Sequence, residues 1–358
     1  MKAAHPIALA ACLALAPAAL ALDRPDTTFK IFQFPPDKIP RIDGKADDWD
    51  LIPDSYIVGS DQMVNDSNAA AKPDPKNLDV KVKVAWVKGE SRLYFLYQAD
   101  DNVCDYGEPG LHNDTFEVIV DADKSGGNLI ARNPDKSVDW PNWLTVQSVH
   151  AQNYHVFVPA QDKDWAMMWG PQAQWIKKMP WSNYAATCTA KPGQPGKVTA
   201  EFWITPFDHA DADGPEKSKV STLKEGETIA LSWAVIDYDD PKTTRSTFWN
   251  LSRTHTMYGD ASHLCSFKLM PLESQFLKKL DAQWSFKITD AAKREVAFHD
   301  DSLGKVTSWK WDFGDGETST DQNPTHAYKA PNNYIVTLDI EGPEGKSRHQ
   351  KVWDVSVK

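Results

Sequence analysis

Apolar positions along this chain alternate with period 2 far more often than they recur at helical spacing. Val80-Lys81-Val82-Lys83-Val84-Ala85-Trp86 is one such run, and Leu93-Tyr94-Phe95-Leu96-Tyr97 follows it across the turn-forming Lys88-Gly89-Glu90. Residues 115–120, 198–204 and 229–235 repeat the pattern. Alternation sends one set of side chains to a core and the other outward, so these runs predict short strands joined by turns, an antiparallel β-sandwich. Residues 140–181 break the rhythm. They hold six Trp and the pair Met167-Met168, and are expected to form strands joined by long loops. Pro271-Leu272-Glu273 closes this first set, and 275–280 is expected to be a short helical linker. A second set follows: Trp309, Trp311 and Phe313 share one strand face, and Tyr334, Val336, Leu338 and Ile340 alternate with Ile335, Thr337 and Asp339. The organisation read from the pattern is a leader at 1–21, a larger sandwich at 25–270, a linker at 271–281 and a smaller sandwich at 282–358. The fold class is all-β.

The leader reading rests on Lys2, the apolar run 7–15 and the closing Ala19-Leu20-Ala21, the layout of a secretory signal with an A-x-A cleavage site. Leu9-Ala10-Ala11-Cys12 resembles a lipobox, but the apolar run continues past it, so a lipid anchor is not expected. No later apolar run reaches the roughly 18–20 residues that span a bilayer. The protein is expected to be secreted or periplasmic. Net charge is −11, and removing Lys2 with the leader deepens it by one. Such a surface builds no cationic field for a phosphate backbone, which argues against nucleic-acid binding. Three cysteines follow the leader: Cys104, Cys188 and Cys265. In an oxidising compartment two can pair and one is left over, and spacing does not choose among the three pairings.

Trp311-Asp312-Phe313-Gly314-Asp315-Gly316, then His326-Ala327-Tyr328, then Tyr334-Ile335-Val336-Thr337-Leu338 resemble a PKD domain over about 280–358. That resemblance implies an immunoglobulin-like sandwich serving as a spacer or binding accessory, with the motif residues acting as folding determinants. Ile42-Asp43-Gly44-Lys45-Ala46-Asp47-Asp48-Trp49, the strand pair near 78–100, and Asp114-Thr115-Phe116-Glu117-Val118-Ile119-Val120-Asp121 resemble the family 9 carbohydrate-binding modules and the wider DOMON-like sandwiches. This likeness covers about 39–126 well and 198–270 weakly, and it implies sugar binding by aromatic stacking with polar side chains on the hydroxyls.

The chemistry of the residues is compatible with that implication. Fifteen Trp offer flat apolar faces suited to the C–H side of a pyranose, while Asp, Asn, Gln or Arg can bond its rim. Trp86, Trp203 and Trp233 lie in alternating strands and are expected in the core, with Trp49 as a staple. The candidate saccharide contacts are Trp140, Trp143, Trp165 and Trp169 in the loop-rich stretch, and Trp249 with Asp237, Asp239 and Arg245. Asp121 and Asp123 could hold Ca2+ in an oxygen-rich loop, and 209–214 is a similar loop, although neither completes an EF-hand. No catalytic motif is present, and pairs among fifty acidic residues, such as Glu117 with Asp237 or Asp114, do not by themselves make a glycosidase. The expectation is a non-catalytic carbohydrate-binding protein that needs no cofactor. Its partners would be a polysaccharide or oligosaccharide and a glycoside hydrolase that it assists in polysaccharide breakdown. Three alternatives stay open: a haem-binding DOMON-like electron carrier using Met167, Met168, Met179, Met257, His150, His155 or His255; a glycoside hydrolase of unrecognised type; and a surface interaction protein with every Trp buried.

Overall fold

The computed structural model describes residues 22–66, 68, 70–107, 112–161, 163–170, 174–239, 247–277 and 279–358. The leader, with its lipobox-like Cys12, lies outside them, as does Arg245. The protein is all-β, and it divides into two compact units, Met1–Leu272 and Glu273–Lys358. The helical linker read from 275–280 is a single 3-10 turn, Ser274–Phe276. Among the described residues no helix is long and apolar enough to cross a membrane.

The larger unit is one curled sheet folded onto itself. One wall runs through Leu78–Trp86, Leu93–Cys104, Gln194–Ile204 and Ser182–Cys188. The other runs through Cys265–Leu269, Thr228–Asp237, Thr115–Asp121, Gln152–Phe157 and Ala166–Met168, with Thr247–Asn250 also paired to Thr228–Asp237. Strand Asp23–Gln33 joins the walls. Its first part pairs in parallel with Cys265–Leu269, and Phe32 and Gln33 pair in parallel with Ala85 and Trp86. On the inner face of the first wall the rings of Phe95 and Phe202 stack with centroids 4.7 Å apart, and Phe116, Trp233 and Phe267 continue the contact on the far side. Each such ring taken out of water contributes about 2–3 kcal/mol before chain entropy is counted.

The Ile42–Trp49 opening has a structural explanation on the outside of the first wall. Glu201 alternates with the core residues Ala200 and Phe202, so its side chain points away from the core, yet it is fully buried. One carboxylate oxygen accepts the backbone N–H groups of Asp43, Gly44 and Lys45 at 3.2, 2.7 and 3.0 Å, and the other accepts the Trp49 indole N–H at 2.7 Å. Gly44 has φ +80°, and a Cβ there would meet the backbone of Ala186 at 3.1 Å. The motif is thus a clasp that seats the chain before the first wall. Trp203, also on that outer side, is buried beneath the Arg92 guanidinium, 4.1 Å from its ring.

The smaller unit is an immunoglobulin-like sandwich of a three-stranded sheet (Trp284–Asp290, Glu295–Asp300, Thr325–Ala327) and a four-stranded sheet (Thr318–Ser319, Ser308–Asp312, Asn332–Gly342, Gly345–Val357). Trp284 meets Trp311 edge to face at 5.6 Å. His326 stacks on Phe313 at 4.2 Å and its Nε2 lies 2.8 Å from Asp315. Gly314 sits at φ +82°, where a Cβ would strike the Ile335 carbonyl at 2.4 Å. These are packing and turn roles.

Candidate functional site

The second wall of the larger unit is buried on both sides. Phe116, Val118 and Val120 face the sandwich core, while Thr115, Glu117, Ile119 and Asp121 face outward and are still buried. The reason is a covering layer. Leu129, Ala151, Met257, Ala261 and Leu264 pack onto Ile119, Ala230 and Ala234. Directly opposed residues of adjacent strands present side chains to the same face, with Cβ atoms about 4.5–5.5 Å apart. The register therefore lines up Met167, His155, Glu117, Ala234 and Asn250 in one row across this outer face. The neighbouring row holds Asn153, Ile119 and Ser232.

These polar groups are partly satisfied. Asn153 Nδ2 donates to Glu117 Oε1 at 2.9 Å, and Asn250 Nδ2 donates to Asp66 Oδ1 at 3.3 Å. The Thr115 hydroxyl donates to the Asn113 carbonyl at 2.9 Å, so at 3.2 Å it accepts from His155 Nε2. That fixes the neutral tautomer with Nδ1 as an acceptor. Burial pushes the His155 pKa down to about 4, which keeps the ring uncharged. Burial raises the Glu117 pKa, against the pull of the Asn153 hydrogen bond. Three buried atoms have no partner: Asn153 Oδ1, His155 Nδ1 and Asn250 Oδ1. All three are acceptors.

Aromatic rings lead from this floor to solvent. Phe157 and His155 have centroids 5.5 Å apart, His155 and Trp169 6.2 Å, Trp169 and Trp143 5.8 Å, and Trp143 and Trp140 6.0 Å. Trp140 is 69% exposed, and Trp143 and Trp169 are half-buried.

The candidate residues read from sequence therefore separate. Trp140, Trp143 and Trp169 come together. Trp165 is sandwiched between Tyr154 and Tyr184, at 6.0 and 5.4 Å, and its indole donates to the Lys177 carbonyl at 2.8 Å, so it is packed against the core. Trp249 sits on an inward position of Thr247–Asn250 and is part of the core. Asp237 and Asp239 lie elsewhere, with Asp101, and offer ligand oxygens within 4.8 Å of one another. This acidic group is where the described residues could hold a metal. Asp121 and Asp123 instead brace a turn: Asp121 accepts from the backbone of Ser125 and Gly126 at 3.2 and 2.7 Å, and Asp123 accepts from Ser125 at 3.0 Å. In the 209–214 loop Asp211 likewise accepts the Asp213 N–H at 2.8 Å. Met167 and His155 are side-by-side neighbours on one face, whereas axial haem ligands approach iron from opposite sides. Asn153 and Asn250 were not among the sequence candidates. The available signal was a polar residue alternating with Tyr154 and Val156 in a strand that has no wet side.

A family model for the PKD domain matches residues 280–357. Over 68 residues, 18% of this chain, the sequence is 43% identical to collagenase ColA of Bacillus cereus, and over 77 residues, 21% of this chain, it is 35% identical to the pre-pro-metalloprotease PrtV of Vibrio cholerae. The matched stretches span only 7% and 8% of those proteins. Among solved structures, the PKD1 domain of PrtV from Vibrio cholerae aligns at 28% identity and TM-score 0.21, covering 23% of this chain and 99% of that one. A family 9 carbohydrate-binding module from Caldicellulosiruptor kristjanssonii in complex with cellotriose aligns at 14% identity and TM-score 0.41, covering 70% of this chain and 98% of that one. The C-terminal unit, residues 280–357, is a PKD domain.

Proposed function

We propose that the larger unit binds a neutral saccharide at the Trp140, Trp143 and Trp169 rings, where the outer face of its second wall reaches solvent, without covalent chemistry. The observation that carries this reading is the set of three unpartnered buried acceptors, Asn153 Oδ1, His155 Nδ1 and Asn250 Oδ1, in the rows around Glu117 at the inner end of a series of aromatic rings. Leaving a buried acceptor unmade costs about 1–3 kcal/mol. A ligand rich in O–H donors removes that cost, and a carboxylate beside neutral acceptors favours hydroxyl donors over an anionic uronate. The Trp143 and Trp169 rings supply apolar surface for the C–H faces of a pyranose.

Isothermal titration of the full chain against neutral, uronic and amino oligosaccharides tests this. Binding of a neutral saccharide is expected, weakened about tenfold or more by Trp143→Ala, Asn153→Ala and Glu117→Gln, because each removes a stacking face or a hydrogen bond to a charged or buried partner. No neutral ligand, or one indifferent to all three substitutions, would overturn the proposal. Release of reducing ends from the bound saccharide would overturn its non-catalytic part. Export, inferred from residues 1–21, is checked by the N-terminal sequence of the mature protein, expected to start near Leu22.

A further inference from the structure

We propose that Asp101, Asp114, Asp237 and Asp239 form a binding site for a hard divalent cation of the calcium class, which ties the two walls of the larger sandwich together at their rim. Asp101 lies three residues before the end of strand Leu93–Cys104 of the first wall, and Asp237 closes strand Thr228–Asp237 of the second. Asp101, Asp237 and Asp239 each offer an oxygen within 4.8 Å of the others. Calcium–oxygen bonds of about 2.3–2.6 Å place ligands on opposite sides of the ion about that far apart.

Two further observations point to a ligand. Asp237 is 2% exposed, and its Oδ1 is buried with no hydrogen-bond partner. Asp101, Asp114 and Asp237 also line one small cavity of about 10 Å3, closed by Tyr97 and Leu78. That is room for a single ion or water. Asp114 is held rigidly, accepting the Tyr238 and Asp105 backbone N–H groups at 3.0 and 2.7 Å. Among the described residues no lysine or arginine forms an ion pair with any of the four carboxylates.

The electrostatics agree with this placement. Burial, followed by repulsion from Asp101 and Asp239, pushes the Asp237 pKa up to about 7, and burial pushes Asp101 up to about 6. A cation would replace the protons that such a cluster otherwise retains. Asn77 Nδ2 lies 3.1 Å from Asp237 and 3.5 Å from Asp239. Rotating this amide by half a turn presents its carbonyl oxygen to the ion instead. Every available donor is oxygen, and the set is irregular, which fits calcium better than zinc with its nitrogen and sulfur ligands. Asp239 is exposed, leaving one side open for ion entry and water ligands.

The test is titration of the full chain, dialysed against EDTA, with CaCl2 by calorimetry and with Tb3+ by luminescence sensitised through Tyr97 and Tyr238. About one equivalent is expected to bind, and calcium is expected to raise the thermal midpoint. Asp237→Asn and Asp101→Asn should abolish binding, and Asp239→Ala, at an exposed position that the fold does not require, should weaken it tenfold or more. Asp123→Asn, in the separate acidic turn, should leave it unchanged. The proposal is overturned if neither ion binds, if the Asp237 and Asp239 variants bind as the parent does, or if Asp123→Asn removes binding. No glycan is present in these titrations, so they report independently of the saccharide reading.

Discussion

Replacing Glu201 by Gln isolates the clasp that seats the N-terminal segment. The carboxylate serves four donors, three backbone N–H groups on one oxygen and the Trp49 indole on the other. An amide keeps one acceptor and turns an NH2 group toward the remaining donors. If its oxygen stays with the backbone groups, the indole N–H is left buried and unpaired, at about 1–3 kcal/mol. The three backbone bonds also lose charge assistance, about another 1 kcal/mol together. Part of this is offset, because burial already raises the Glu201 pKa and Gln carries no charge to desolvate. The net loss is about 1–3 kcal/mol, or roughly 2–12 °C in the midpoint of a unit this size. Differential scanning calorimetry of the full chain measures it, with the PKD unit as internal reference. Trp49→Phe keeps the ring and removes only the indole donor, so it should cost about 1 kcal/mol alone and much less in the Glu201→Gln background. A loss below about 0.5 kcal/mol for Glu201→Gln, or strict additivity of the two changes, would refute the clasp.

Further outcomes follow from other sites. Cys104 and Cys188 are free thiols whose titrations influence each other, with Cys104 pulling the Cys188 pKa down to about 6 while its own is raised. Treatment with a disulfide donor such as oxidised glutathione should therefore join these two and leave buried Cys265 reduced, as non-reducing peptide mapping would show; closing so long a loop is worth about 4 kcal/mol. Burial, with repulsion from Asp123, raises the Asp121 pKa to about 7. A carboxyl whose folded pKa exceeds its unfolded value near 3.9 is destabilising above the folded pKa, so stability should fall as pH rises from about 4 through 7. Asp121→Asn should flatten that part of the curve in urea titrations at successive pH values. In the PKD unit, His326→Ala removes the ring stacked on Phe313 and the partner of Asp315, and should cost about 1–3 kcal/mol by thermal denaturation while leaving saccharide titration unchanged.

How much of this was legible in the sequence differs from element to element. Strand Leu78–Trp86 alternates because its outer positions, such as Lys81 and Lys83, keep contact with water or polar groups while Val80, Val82 and Val84 enter the core. Its pattern therefore announces its role. The PKD motif is equally readable, since Gly314 and Gly316 stand where φ is positive. Strand Thr115–Asp121 gives no such signal for its outer face, because the layer packed on Ile119 there comes from other segments, Leu129 and Ala151 nearby and Met257, Ala261 and Leu264 far along the chain. The same distance hid the partners of Glu201, more than 150 positions away. Tryptophan content was informative only in bulk. Composition does not distinguish Trp140, open to solvent, from Trp165, wedged between two tyrosines. Density of indoles in a loop-rich stretch reported a large aromatic region but not its two separate destinations.

Strand Asp23–Gln33 has a consequence for how the larger unit is made. Its neighbours are Cys265–Leu269 on one side and Leu78–Trp86 on the other. A chain emerging N-terminus first holds this strand from the outset but lacks its final companion until Leu269 appears. Pairings of such long range close slowly and late. The emerging polypeptide thus lacks the last pairing of this strand until nearly 270 residues are out.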